Sequence, residues 1–200
     1  MNLLLRRREM LLKHSSIQPI YQLQSPVTTE NYETGVLLFE HSIDFTILCE
    51  VNANFYNWTG YQGILGLGTG MTFRVGRMTN ANEYTNGAST GTTTNFYCGL
   101  AFNNTSADSD PKKAHSLFSR GSNAKAIHRF AVRYDSTALK IEGLTRTNNS
   151  PTTCWWTISE AITGNNELKL NIETGTTCEV NEITIYNTKL SDAEIAEYLA

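Results

Sequence analysis

Three glutamates are the first residues to weigh for chemistry: Glu50 in "CEVNANF", and Glu179 and Glu182 in "CEVNEI". Two carboxylates roughly 5–5.5 Å apart can cleave a glycosidic bond with retention, one as nucleophile and one as acid. In an extended chain, alternate side chains share a face. Glu50 then shares its face with Asn52 and Asn54, which leaves a single carboxylate there. Glu179 shares parity with Asn181, and Glu182 falls on the other face unless a bulge intervenes. No carboxylate pair emerges, so the expectation is a protein that is not an enzyme. The histidines His14, His41, His115 and His128 offer no nucleophilic triad, since none sits in a Gly-x-Ser-x-Gly elbow or a similar setting. His128 falls on an apolar strand face, where a satisfied core histidine is expected. No His/Cys pair has zinc-ligand spacing, and no cofactor is expected. Asp108 and Asp110 lie in an Asn/Ser/Asp loop that can supply oxygen ligands to calcium; solvated loop acids are the other reading.

Sugar binding asks for different residues. Apolar ring faces cover the C–H faces of a sugar, while amides and carboxylates address its hydroxyls. "NFYNWTGYQ" holds Phe55, Tyr56, Trp58 and Tyr61 among Asn54, Asn57 and Gln62. The candidate carbohydrate-binding residues are Tyr56, Asn57, Trp58, Tyr61 and Gln62, with Trp156 from the adjacent Trp155–Trp156 pair. A strand sends one tryptophan of that pair inward and one outward. The other reading is that these rings plug the ends of the fold or bury in a subunit interface.

The N-terminal stretch "MNLLLRRREMLLKH" suits docking. As a helix it gathers Leu4, Leu11 and Leu12, with Arg6, Arg7 and Arg8 fanning around the surface. Leu4, Leu5, Leu11 and Leu12 can anchor in a partner's groove while Arg6, Arg7 and Arg8 meet an acidic patch. A frayed terminus is the alternative. The order of leucines and arginines is wrong for a signal peptide, whose positive charge precedes a continuous apolar run. No stretch approaches the ~20 apolar residues of a membrane span. The expected location is therefore the cytoplasm, or a larger assembly such as a virion built there.

These residues must be positioned by strands. The chain has 200 residues, 40% hydrophobic and 18% charged, with net charge −3, which suits one globular domain. That charge gives no reason to expect nucleic acid. "DFTILCEV" places Phe45, Ile47, Cys49 and Val51 on one face. "IHRFAVRYD" places His128, Phe130, Val132 and Tyr134 against Arg129 and Arg133. "MTFRVGR", "NFYCGLAFN" and "NELKLNIE" repeat the alternation of half-buried strands. "YDSTALK" reads as a turn between strands, while residues 79–95, with Tyr84, and 103–114 read as long polar loops. In "TCEVNEITIY", Cys178 and Val180 have opposite parity to Ile183 and Ile185. Either a bulge near Asn181 and Glu182 or two successive strands accounts for it. Cys49, Cys98, Cys154 and Cys178 form no CxxC pair and are expected as buried thiols. Many strands without interleaved helices indicate a two-sheet antiparallel sandwich.

The last residues, "KLSDAEIAEYLA", read as a short capped helix. Ser191 and Glu194 form a capping box, and Leu190 and Ile195 occupy hydrophobic-staple positions. Ile195 and Leu199 share a face expected to close one edge or end of the sandwich.

Three stretches carry a resemblance: residues 31–51 ("NYETGVLLFEHSIDFTILCEV"), residues 128–145 ("HRFAVRYDSTALKIEGLT"), and residues 180–199 ("VNEITIYNTKLSDAEIAEYL"). In this order and spacing they resemble the concanavalin A-like, LamG-type jelly-roll superfamily. Glu50 and Glu142 depart from its pattern, where Trp, and Asn or Asp, are usual. The N-terminus also resembles small proteins of gut bacteria and their phages. The resemblance implies an all-β jelly roll with a short C-terminal helix over residues 16–200, preceded by an arm at residues 1–15. It implies a lectin-like, structural or adhesion protein displayed on a larger assembly through that arm, with other structural proteins and glycans as partners and a homo- or hetero-oligomeric state. A stand-alone carbohydrate-binding protein and a glycoside hydrolase are the rival readings.

Overall fold

The computed structural model describes residues 17–28, 32–37, 43–54, 65–67, 72–78, 81–85, 88–93, 96–103, 113–116, 125–147, 150–157, 167–170 and 178–200. Six strands form the principal sheet: β1 (Tyr21–Gln22), β3 (Phe45–Asn54), β10 (Lys125–Asp135), β11 (Lys140–Thr147), β12 (Ser150–Thr157) and β14 (Cys178–Tyr186), in the order β1-β14-β3-β10-β11-β12. A second, five-stranded sheet has the order β5-β8-β9-β6-β7, from β5 (Thr72–Met78), β6 (Ala81–Thr85), β7 (Ala88–Thr93), β8 (Phe96–Asn103) and β9 (Lys113–Ser116). A small third sheet pairs β2 (Tyr32–Leu37), β13 (Glu167–Leu170) and β4 (Leu65–Leu67) in the order β2-β13-β4. The described pairings are antiparallel except β6 with β9, which meet in parallel at Glu83 and Ala114. One helix, α1 (Asp192–Leu199), follows β14.

The period-two pattern sorts the principal sheet into two faces. Phe45, Ile47, Cys49 and Val51 of β3 are fully buried, as are Phe130, Val132 and Tyr134 of β10 and Val180, Ile183 and Ile185 of β14. Register explains the match: Phe45 stands opposite Tyr134, Ile47 opposite Val132 and Ile185, and Cys49 opposite Phe130 and Ile183. The Phe45 and Tyr134 rings stack at 5.5 Å. Complete burial on the face away from α1 requires a covering layer, as in a sandwich. Cys49 is buried, as expected.

The parity break in β14 is a bulge. Val180 pairs with Val51 and Glu182 pairs with Glu50, so Asn181 is the extra residue. The single insertion returns Val180, Ile183 and Ile185 to one face. A second irregularity lies in β2, whose register with β13 slips between Glu33 and Leu37. Gly35 there has φ +71°, a conformation costly for any side chain.

The region 79–95 is not a loop throughout. Ala81–Thr85 and Ala88–Thr93 pair as a hairpin, placing Tyr84 in a strand beside a bulge. The dipeptide between them, Asn86–Gly87, is the strongest two-residue hairpin signal, and threonine suits strands. The region 103–114 also overlaps strand at both ends, since β8 runs to Asn103 and β9 starts at Lys113. The turn at "YDSTALK" is present: Oδ1 of Asp135 accepts from the backbone N–H groups of Thr137 (3.0 Å) and Ala138 (2.9 Å).

The helix does not close an edge or an end. It lies on the outer face of the principal sheet, where Leu190, Ile195, Tyr198 and Leu199 pack with Leu48, Ala131, Leu144 and Tyr186. Leu48 and Ala131 are register partners on that face, at the middle of the sheet. Their apolar patch needs a cover, and the apolar stripe of α1 supplies it. The capping box forms as expected: the Ser191 hydroxyl accepts from the Glu194 N–H, and Glu194 accepts from the Ser191 N–H at 2.8 Å. The staple residues Leu190 and Ile195 are 2% and 1% exposed in the same cluster.

Candidate functional site

The outer face also carries charge. Alternation on β10 puts Arg129 and Arg133 there, beside Glu50 of β3 and Glu142 of β11. Arg129 donates from Nε and Nη2 to Oε2 of Glu50, each at 2.8 Å. The bulged Asn181 donates its amide to Oε1 of the same carboxylate at 3.1 Å. Glu50 is 1% exposed, so both its oxygens are engaged and shielded from water. Glu182 stands directly across from it in register.

Arg133 is the second hub. Nε and Nη2 donate to Oε2 of Glu142 at 2.7 and 2.6 Å, and Nη1 donates to the Leu190 carbonyl at 2.8 Å and to Asp192 at 2.7 Å. Burial opposes the charge on Arg133, but its hydrogen bonds to Asp192 and Glu142 raise its pKa above the ordinary value. Thr46 completes the clamp on the chain entering α1: its hydroxyl accepts from the Leu190 N–H at 3.0 Å and donates to the Thr188 carbonyl at 2.9 Å. A cavity of about 290 Å³ remains between α1 and β11, with Leu144, Ile195 and Leu199 among its lining residues.

This arrangement fixes charge in place and does not present it to a substrate. Glu50 and Glu182 are the nearest thing to a carboxylate pair, and the bulge brings them together where simple parity separates them. Yet Glu50 has no free lone pair directed to solvent. His128 is buried opposite Val51, as its parity implied. Desolvation lowers its pKa to about 4, so the ring is neutral near pH 7. Among the described residues no group of three or more His, Cys, Asp or Glu could hold a metal ion. No described helix is long and apolar enough to cross a membrane.

Tyr56, Asn57, Trp58, Tyr61 and Gln62 lie outside the described residues, as do Asp108 and Asp110. Their segment is rooted, however: it leaves β3 at Asn54, which pairs with Lys125, and reaches β4 at Leu65, which pairs with Leu170. It therefore connects the principal sheet to the small third sheet. Trp156 is placed in β12 opposite Ile141, and Trp155 opposite Glu142. The docking residues Leu4, Leu5, Arg6, Arg7, Arg8, Leu11 and Leu12 also lie outside the described residues.

Sequence reasoning did not find the Glu50–Arg129–Asn181 cluster or the Arg133 hub. Alternation in β10 placed both arginines on one face, but their partners come from distant strands; Glu50 is 79 positions from Arg129.

No family model matches the chain, and no curated protein matches it in sequence. Solved structures do match in shape. The CBM40 domain of the Ruminococcus gnavus IT-sialidase bound to α2,3-sialyllactose has a TM-score of 0.52 at 12% identity, over 92% of this chain and 100% of that one. The same domain bound to α2,6-sialyllactose gives 0.51 at 11% identity, with the same coverage. The fold is a lectin-like jelly roll. The leech intramolecular trans-sialidase complexed with 2,7-anhydro-Neu5Ac matches at 0.50 and 12% identity, over 92% of this chain but 28% of that larger one. At these identities the likeness extends to the fold alone.

Proposed function

We propose that this jelly roll is a non-catalytic glycan-binding domain, displayed on a larger assembly such as a phage virion through its N-terminal arm. Residues 16–200 form the binding domain and residues 1–15 the arm. The observation that carries the reading is shape: the chain overlies a carbohydrate-binding module along the whole length of that module. Two features of the chain itself support it. The segment with Tyr56, Asn57, Trp58, Tyr61 and Gln62 offers rings and amides together, and it is rooted at the end of β3. Glu50, the best placed carboxylate, is committed to Arg129 and Asn181 and not available as an acid or nucleophile.

The test is a glycan array probed with the full chain, including both sialyllactoses. Retained glycans that are lost in Trp58→Ala are the expected result. An array without hits, or hits indifferent to Trp58→Ala, overturns the binding site. Polysaccharide turnover abolished by Glu50→Gln overturns the non-catalytic reading. Deleting residues 1–15 tests display: the expected outcome is a folded monomer that no longer enters the assembly.

A further inference from the structure

We propose that residues 193–200 open from the outer face of the principal sheet as one cooperative unit, unwinding while residues 188–192 stay fastened to β3 and β10. The inference goes beyond glycan binding and does not depend on it, because it concerns which part of the fold moves.

The polar fastenings of α1 are gathered at its start. The Thr46 hydroxyl of β3 accepts from the Leu190 N–H at 3.0 Å and donates to the Thr188 carbonyl at 2.9 Å. Arg133 of β10 donates to the Leu190 carbonyl at 2.8 Å and to Asp192 at 2.7 Å, and Glu142 holds the guanidinium from another side. Lys189 pairs with Asp135. The capping box adds reciprocal bonds between Ser191 and Glu194. The last turn, by contrast, carries no basic residue to meet the negative end of the helix dipole.

Beyond Asp192, α1 is seated on the sheet by the apolar bodies of Ile195, Tyr198 and Leu199. Two features weaken that seat. A cavity of about 290 Å³ lies between α1 and β11, lined in part by Leu144, Ile195, Ala196 and Leu199. Among the described residues nothing packs these side chains on the cavity side, and the dispersion contacts are missing there. Tyr198 is the second feature. It is 5% exposed, and its hydroxyl has no hydrogen-bond partner among the described residues. Water satisfies that hydroxyl once the ring leaves the sheet, so opening recovers a hydrogen bond that closure forgoes.

Cooperativity follows from length. α1 has eight residues, and a helix this short is marginal in water by itself. When its apolar stripe leaves the sheet its turns are lost as well, so residues 193–200 go together. The sheet does not need them. Ile47, Phe130, Val132 and Ile183 are buried on the opposite face, and β3 is paired on both sides, by β14 and β10. Opening therefore bares Leu48, Ala131, Leu144 and Tyr186 on a sheet that is otherwise intact. Elements with few anchors open in this way at a smaller free energy than the whole fold.

Amide hydrogen exchange on the full chain, read residue by residue by NMR, tests the proposal. It compares residues 196–200 with residues 47–49 and 130–132 in the central ladder of β3 and β10. Residues 196–200 are expected to exchange at least about tenfold faster than the ladder, yet at least about tenfold slower than an unstructured peptide. Ile47→Val, on the face away from α1, should speed the ladder amides by about twofold to tenfold and leave residues 196–200 unchanged. Tyr198→Phe should slow residues 196–200 by about twofold to fivefold. Equal protection of helix and ladder overturns the proposal, as does acceleration of residues 196–200 by Ile47→Val; either result means that α1 opens only with the whole fold. Exchange of residues 196–200 at the peptide rate overturns it too, because the helix is then not docked. Faster exchange in Tyr198→Phe shows that the hydroxyl fastens the helix, and overturns the weak seat on which the proposal stands.

Discussion

Arg129 and Glu50 are joined side-on across β10 and β3, two 2.8 Å contacts converging on one carboxylate oxygen that is almost wholly removed from water. A buried carboxylate costs several kcal/mol to desolvate unless a partner offsets it. Arg129→Met removes that partner and should cost about 2–3 kcal/mol, less than for a fully buried pair because the guanidinium is 27% exposed. Adding Glu50→Met should recover most of the loss. Urea unfolding of the three variants checks this; a double variant no better than Arg129→Met contradicts it.

Ser191 caps the only described helix, and its hydroxyl and the Glu194 carboxylate satisfy each other's end of the turn. Ser191→Ala should cost about 1 kcal/mol. Thermal melting that shows no loss removes the cap from the account. Asp192 to Asn should weaken the same region, by freeing one arm of Arg133 from α1.

His128 makes stability depend on pH. Its folded pKa of about 4 lies below its ordinary 6.5 because burial disfavours the charged ring. Between these values the unfolded chain binds more protons, so unfolding gains as pH falls. The neutral ring's contribution is complete above about pH 6.5 and is lost progressively down to pH 4, on the order of 3 kcal/mol. His128→Leu should flatten this part of the pH profile. An unchanged slope in denaturant titrations between pH 4 and 7 refutes the assignment.

Tyr198 is 5% exposed, and its hydroxyl has no hydrogen-bond partner among the described residues. Burial raises its pKa well above the usual range, with the carboxylates of Glu182 and Glu50 adding to the effect. An unmet buried hydroxyl costs roughly 1–3 kcal/mol. Tyr198→Phe keeps the ring under α1 and should be neutral or stabilising by about 1 kcal/mol. A clear loss of stability in calorimetry shows that the hydroxyl is in fact bound.

Leu139 closes the β10–β11 turn with φ +48°, a left-handed conformation that disfavours branched and bulky residues. It is 40% exposed, so little packing is at stake. Leu139→Asn should raise stability by about 0.5 kcal/mol, since asparagine tolerates this region. A lower melting temperature contradicts that.

Much of the fold was legible because neighbouring residues in a strand alternate faces whatever they pair with. Phe45 to Val51 and His128 to Tyr134 therefore read correctly before any partner was known. The bulge at Asn181 was legible as a parity break, since two apolar pairs can reach one core only if a residue is looped out. The β6–β7 hairpin was misread because its strands are polar and threonine-rich, and the Asn86–Gly87 signal was outweighed by composition. The candidate sugar site was legible only as residue types. A cluster of rings and amides states what it can touch, and not where the chain holds it.

The sequence by itself determined strand faces, the capped helix and the absence of a one-strand carboxylate motif, because each depends on residues a few positions apart. Only the tertiary structure decided that α1 lies on the outer face of the principal sheet. Only it paired Glu50 with Arg129 and set Glu182 opposite Glu50. Those facts depend on register between strands far apart in sequence, as between β3 and β14, where Glu50 and its hydrogen-bond partner Asn181 are 131 positions apart. Register is chosen by which apolar faces can be buried together, a property of the assembled sheet that no single strand contains.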